Sequence, residues 1–266
     1  MPSPYRSAVI TGASSGIGAA FADVLSPSTD LLLVGRDPDR LAAVAARHTH
    51  PERRVDTLIA DLATDEGRAA VVERADASAV DLLVNNAGVG AFGAVLDHDP
   101  EAERQVGEVN VMAPLILTRA LLPGMIARAG EAGRRAGCIL VSSQAAFTPV
   151  PYFATYAASK AFILLWGEAL AEELRGEPVD VLTLCPGATR SNFGRQAGFP
   201  VPSLPGAAHP RDVAGQALRA LGRESVLVSG RVSQLAFLPM TLPRRITTMG
   251  LGKVMGLVSR RAVRRR

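Results

Sequence analysis

The chain has little that would bind it to a metal, a disulfide or a membrane span. It holds two cysteines in 266 residues, Cys138 and Cys185, and both stand in apolar, strand-like runs (CILVSS and VLTLCPG). Two thiols make no disulfide framework, so inert buried side chains are expected of them. The four histidines, at 48, 50, 98 and 209, lie among polar neighbours without ligand spacing, and no metal site is expected. The opening MPSPYRSAVITG lacks a basic segment followed by an apolar stretch, so no secretory leader is expected. No uncharged apolar window approaches the ~20 residues of a spanning helix. The longest candidate, VSQLAFLPMTLP, is twelve residues between Arg231 and Arg244 and contains two prolines. A cytoplasmic protein is the expectation.

Acid is missing from one end. After Glu224 no Asp or Glu occurs, yet nine cations follow, from Arg231 to Arg266. The formal charge of +4 therefore conceals a body, residues 1–224, that carries −5. The basic character belongs to the tail.

What is present is a regular alternation. Short apolar runs (SAVIT, DLLLVG, VDTLIADL, DLLVNNAG, GCILVSS, PVDVLTLCPG, SVLVSG) alternate with helical patterns, among them a long stretch from Pro100 to Arg128 and a helix from about Tyr152 to Leu174. Nearly continuous Val, Ile and Leu in strands that alternate with helices imply a parallel sheet covered on both faces. Right-handed crossovers make it a three-layer, doubly wound α/β sheet of Rossmann type with about seven strands. The division expected is one catalytic domain over 1–230, a substrate lid at about 188–210, and a basic extension over 231–266.

The first strand runs into VITGASSGIG at 9–18, with glycines at 12, 16 and 18. In such a sheet the first strand-to-helix turn lies at the carboxyl edge, where ligands bind. Glycines there allow a tight turn and close approach of backbone to a pyrophosphate, while the helix N-terminus attracts the anion. Thr11, Ser14 and Ser15 add hydroxyl donors, and Ile17 lies between the last two glycines. A glycine-rich turn alone is also compatible with an ordinary βα connection.

TGASSGIG at 11–18, NNAG at 85–88, Asn110, Ser143, the pentad from Tyr156 to Lys160 and PG at 186–187 occur in one order and spacing. Together they resemble the short-chain dehydrogenase/reductase family over about residues 5–230. The resemblance implies hydride transfer with a nicotinamide dinucleotide, and a homodimer or homotetramer. It implies Asn110, Ser143, Tyr156 and Lys160 as the catalytic set. Tyr156 is then the general acid/base, Ser143 orients the substrate oxygen, and Lys160 acidifies the phenol and holds the nicotinamide ribose. Asn110 kinks its helix and positions a relay water. The cofactor surface so implied consists of Thr11, Gly12, Ser14, Ser15, Gly16, Ile17 and Gly18, then Asp61 and Leu62 at the adenine. Asn85, Ala87 and Gly88 wall its ribose, and Pro186, Gly187 and Thr189 lie at the carboxamide, with Asn110, Tyr156 and Lys160 also in reach. Where an NAD site presents an acid, the second strand ends in Gly35 and Arg36. A guanidinium there suits a 2′-phosphate, so NADP(H) is expected over NAD(H).

Phe147, Val150, Pro151, Tyr152 and Phe153, with Phe193, Phe199, Val201 and Leu204 in the lid, point to a hydrophobic ketone, aldehyde or 3-oxoacyl substrate. Phe162, Leu165, Trp166 and Leu170 are expected to bury against another subunit. The tail leaves four readings open: a solvated end, adhesion to an anionic membrane surface, attraction of an acidic carrier protein, and nonspecific contact with nucleic acid. No specific nucleic-acid partner is expected. Against the oxidoreductase stands an NADP-binding sensor or scaffold with little turnover.

Overall fold

A computed structural model describes residues 5–199, 206–230 and 255–256. Seven strands form one sheet in the order β3-β2-β1-β4-β5-β6-β7. They are β1 Ser7–Thr11, β2 Asp30–Gly35, β3 Val55–Ile59, β4 Leu82–Asn85, β5 Ala136–Val141, β6 Val179–Pro186 and β7 Val226–Ser229. Every pairing is parallel, and β1 lies between β2 and β4, with Val9 opposite both Leu32 and Leu83. Chain order therefore reverses direction at β1. The crevice between β1 and β4, at their carboxyl ends, is the switch point at which doubly wound sheets place ligands.

Both faces are covered because both are apolar. On one side α1 Gly16–Val24, α2 Pro38–His48 and, from late in the chain, α8 Pro210–Ala220 bury Phe21, Leu41 and Val213 against Ile10, Leu33 and Leu182. On the other, α3 Asp65–Ala77, α5 Ala113–Glu131 and α6 Ala154–Glu173 bury Val71, Leu121, Met125 and Ile163 against Val9, Leu83 and Leu140. On this second side α4 Pro100–Gly107 packs against α6, and α7 Phe193–Gln196 follows β6. Asp37 caps α2 by accepting a hydrogen bond from Arg40 N, with Pro38 in the first turn, as the Asp-Pro pair leads one to expect.

Three expectations need correcting. The stretch from Pro100 is not one α-helix, because Glu108–Met112 forms a π-helical turn between α4 and α5. Pro114 has no N–H for the carbonyl of Asn110, its α-helical partner four residues back, and the ladder yields there. Second, α6 starts at Ala154 rather than at Tyr152, whose φ of 63° is left-handed and cannot open a right-handed helix. Third, Trp166 and Leu170 pack against the chain's own core, and only Phe162 and Leu165 of that group stand exposed.

Among the described residues one helical stretch, Pro100–Glu131, is long and apolar enough by length and composition to cross a membrane, and half of its apolar window is buried inside the fold. Leu117, Leu121 and Met125 are fully buried in the sheet-facing core, as in a core helix. Val201 and Leu204 of the lid, and the basic tail apart from Met255 and Gly256, lie outside the described residues.

Candidate active site

Two neighbouring surfaces meet at the carboxyl edge of the sheet. The first is the turn between β1 and α1. Gly12 has φ 65°, and a Cβ on Gly18 would lie 2.2 Å from the Gly12 carbonyl oxygen, closer than any side chain tolerates. Ser15 precedes α1 without a side-chain capping bond. The first N–H groups of the helix therefore lack a partner from the cap and face the crevice edge with the positive end of the dipole. This cradle fits a pyrophosphate.

Thr11 is not part of that donor set. Its hydroxyl donates to Val84 O at 3.3 Å and accepts from the N–H groups of Asn86 and Ala87, both at 3.0 Å. It is a joint between β1 and β4. Asn85 likewise turns inward, donating to Thr118 Oγ1 at 2.9 Å, so its side chain is buried under α5. The neighbouring residue takes the surface position: Asn86 Nδ2 donates to Thr11 O at 2.8 Å and Gly12 O at 3.2 Å. Asn86 was missed from sequence, although its place at the β4 exit, beside the first turn, was the available signal. At the far end of the crevice, Arg36 Nη1 stands 4.0 Å from Asp61 Oδ2, with both side chains about half exposed.

The second surface carries the polar chemistry. Ser143 follows β5 and caps a single 3-10 turn, accepting from Ala145 N at 3.1 Å. That bond leaves its hydroxyl proton for the Tyr156 phenol. Tyr156 and Lys160 share one face of α6, as four-residue spacing requires, and Lys160 Nζ lies 5.8 Å from the phenol ring centroid. The ammonium donates to Val141 O at 2.9 Å, and burial pulls its pKa down to about 8. Burial pushes the Tyr156 phenol up to about 12, against a hydrogen bond from Ser143 that pulls it down. The expectation of a phenol acidified by Lys160 is not met by these side chains alone, because desolvation outweighs the only opposing contact. The phenol is held in its protonated form.

Asn110, 1% exposed, sits in the π turn and binds three elements together. Val89 N donates to its Oδ1 at 2.9 Å, and its Nδ2 donates to Val89 O at 2.9 Å and to Ser159 Oγ at 3.0 Å. A Cβ on Gly88 would meet both Lys160 Nζ at 3.2 Å and Asn110 Oδ1 at 3.4 Å. Asn110, Gly88 and Lys160 are therefore brought into one cluster. Pro186 ends β6, Gly187 N donates to Ser229 O, and the Thr189 hydroxyl donates to Gly187 O at 3.0 Å.

An aromatic cover lies over the phenol. Phe153 stacks on Tyr156 with centroids 4.3 Å apart, Phe193 lies 5.2 Å from it, and Phe92 and Phe199 complete the cluster at 4.3 Å from each other. Phe92 N donates to Ala197 O at 2.8 Å, joining the loop after β4 to the end of α7. Tyr156 is consequently 8% exposed. Both cysteines are buried, with their thiols pushed up to about 12 by desolvation.

Comparison with known proteins agrees with this fold. A profile of the short chain dehydrogenase family matches residues 6–198. A 1-deoxy-11-beta-hydroxypentalenate dehydrogenase of Streptomyces exfoliatus is 37% identical over 231 residues, covering 82% of this chain and 80% of that protein. A short-chain dehydrogenase from Sphingobium yanoikuyae, solved in complex with NADPH, superposes with a TM-score of 0.74 at 29% identity, over 94% of this chain and 96% of the other. A short-chain dehydrogenase/reductase from Burkholderia phymatum, solved in complex with NAD, gives a TM-score of 0.76 at 25% identity, over 88% and 91% of the two chains.

Proposed function

This chain belongs to the short chain dehydrogenase family, and from that premise we propose that it is an NADP(H)-dependent oxidoreductase interconverting an apolar carbonyl compound and its alcohol. The carbonyl is a ketone, an aldehyde or a 3-oxoacyl group. The observation that carries the reading is the placing of Lys160 Nζ 5.8 Å from the Tyr156 ring, with Ser143 against the phenol and Lys160 Nζ also beside Gly88 at the exit of β4.

When bound, the dinucleotide supplies or accepts the hydride at its nicotinamide. Its pyrophosphate is held by the N–H groups that open α1, around Gly16 to Gly18, with Ser14 and Ser15 beside them. Ala87, Gly88, Asp61 and Leu62 flank the adenosine, and Pro186, Gly187 and Thr189 the carboxamide end. Arg36 is half exposed and paired only at 4.0 Å with Asp61, which leaves most of its N–H groups for a 2′-phosphate.

In the reducing direction Ser143 donates a hydrogen bond to the carbonyl oxygen and fixes its position. Tyr156 gives that oxygen its proton, a task suited to a phenol kept neutral by burial. Lys160 stabilises the phenolate left behind, and its charge counts for more in a dry crevice than in water. The cluster of Asn110, Ser159 and Lys160 returns the proton from solvent. Pro114 offers the carbonyl of Asn110 no α-helical N–H, and that carbonyl is the acceptor assigned to a relay water. Phe92, Phe153, Phe193 and Phe199 exclude water and accept an apolar substrate, and the cover must part to admit it.

The test is absorbance of NADPH and of NADH at the nicotinamide band with a panel of apolar ketones, aldehydes and 3-oxoacyl thioesters. Turnover that favours NADPH is expected, and Arg36→Ala should weaken NADPH by tenfold or more while leaving NADH nearly unchanged, since a charge-assisted bidentate contact is worth ~1.5–3 kcal/mol. Dinucleotide binding without turnover across the panel would instead favour a sensor or scaffold. Equal losses for both cofactors would remove Arg36 from the 2′-phosphate.

A further inference from the structure

Among the described residues three cationic side chains are buried: Arg53, Arg68 and Lys160. Lys160 belongs to the site. Arg53 spends its guanidinium on the carbonyls of Leu25, Ser26 and Thr29, where α1 hands over to β2. Arg68, in the first turn of α3 and 6% exposed, does something different. Its Nη1 donates to Leu62 O at 3.0 Å and to Glu108 Oε2 at 2.9 Å, and its Nη2 to Asp65 Oδ1 at 2.5 Å. The Nε is buried with no partner.

This is a poor way to gain stability. Apolar side chains of similar volume often serve as well as a buried ion pair, and a buried N–H without an acceptor costs ~1–3 kcal/mol. What the guanidinium does achieve is a fixed spacing between two turns. Leu62 belongs to the turn after β3, which faces the adenine end of the crevice. The first turn of α3 presses on that same turn so closely that a Cβ on Gly67 would lie 2.0 Å from Asp61 O. Glu108 opens the π turn, and Asn110 stands two residues further on. Every amide contact of Asn110, to Val89 and Ser159, is short and set at about 3 Å. A shift of the π turn therefore moves Asn110 against both the loop after β4 and the residue next to Lys160.

We propose that Arg68 is a positioning residue that locks the adenine-end turn at Asp61 and Leu62 to the π turn of Asn110, so that one side chain sets both dinucleotide affinity and proton supply to Tyr156. The second half rests on the oxidoreductase reading; the first rests only on dinucleotide binding. Arg104 Nη1, at 3.7 Å from Glu108 Oε1, is more exposed and reaches neither Leu62 nor Asp65 in the described contacts, so it does not substitute.

Arg68→Met should weaken NADPH about tenfold in a fluorescence titration and lower kcat about tenfold, since small misplacements of catalytic groups are costly in rate. The pH profile of kcat should shift and its solvent deuterium isotope effect rise. The paired variant Arg68→Met with Glu108→Leu also removes the carboxylate that has lost its buried partner and should recover thermal stability without recovering kcat or NADPH affinity. Glu108→Gln keeps an acceptor for Arg68 and should retain most of both, which also serves if Arg68→Met does not fold. A loss of Tm alone, with NADPH affinity, kcat and pH profile intact, would reduce Arg68 to a structural residue and overturn the proposal. So would full recovery of kcat and affinity in the paired variant. If the unaltered protein turns over no carbonyl, the oxidoreductase reading fails by itself. The titration still decides the first half, and an unchanged NADPH dissociation constant in the paired variant would end it.

Discussion

At Tyr156 two opposing influences can be separated by substitution. Tyr156→Phe removes the proton donor but keeps the ring that stacks on Phe153. Turnover should fall ~10²–10⁴-fold, the usual share of a general acid, while NADPH affinity and Tm change little. A variant with near-normal kcat in the absorbance assay would remove Tyr156 from the chemistry. Lys160 gives a second measurement, because its folded pKa of about 8 lies below its unfolded value of ~10.4. The unfolded chain binds the extra proton between those two values, so stability gained from this residue rises with pH across that window. The burial penalty is present in full below pH ~8 and gone above ~10.4. Lys160→Met should therefore exceed the parent in Tm most at pH 7, with the gap closing as pH rises towards 10. Tyr156 and Cys138 are raised and act in the opposite sense, but they are common to both proteins and cancel in the difference, whereas the raised Cys185 thiol is pulled down by Lys160 and rises further in the variant. A gap that stays constant with pH would contradict the depressed ammonium.

At the scale of elements, the glycine turn and the π turn show how unevenly sequence reveals structure. The turn between β1 and α1 was legible because its demand is local: glycine at 12 and 18 answers a left-handed φ and a backbone contact a few residues away. Gly18→Ala drives a Cβ into Gly12 O, which side-chain repacking cannot relieve. It should cost ~1–3 kcal/mol and weaken NADPH more than tenfold, as read by denaturant melts and titration. Near-normal binding would show that the cradle lies elsewhere. The π turn was not legible as such, since helical periodicity runs straight through GEVNVMAP and the departure is set by Pro114 and the contacts of Asn110. The same limit explains Thr11 and Asn85. Both were expected at the cofactor surface from their motifs, and both turn inward because β4 offers them Val84 O and α5 offers Thr118.

For the whole molecule, apolar surface is the open question that experiment can close. Leu165 is 68% and Phe162 37% exposed on one face of α6, with Met112 at 40% on the neighbouring π turn. Large side chains left in water on two adjacent elements mark a face that loses solvent when another copy covers it. A homodimer or homotetramer through α5 and α6 is the assembly proposed. Leu165→Glu would place a charge in that contact, and light scattering should show a shift to monomer with the secondary structure retained. An unchanged mass would place the interface elsewhere, or show that the chain is already a monomer.

Sequence by itself determined the strand-and-helix alternation, the parallel sheet, the glycine turn, the Asp37 cap and the shared helix face of Tyr156 and Lys160. Each depends on spacing along one strand, one turn or one helix face, where neighbours in the chain are neighbours in space. Only the tertiary structure decided that Asn86 rather than Asn85 ties down the glycine turn, that aromatic rings from separate segments close over the phenol, and that burial pushes its pKa up. Those outcomes depend on groups that lie tens of residues apart, and on how much water remains between them once they meet.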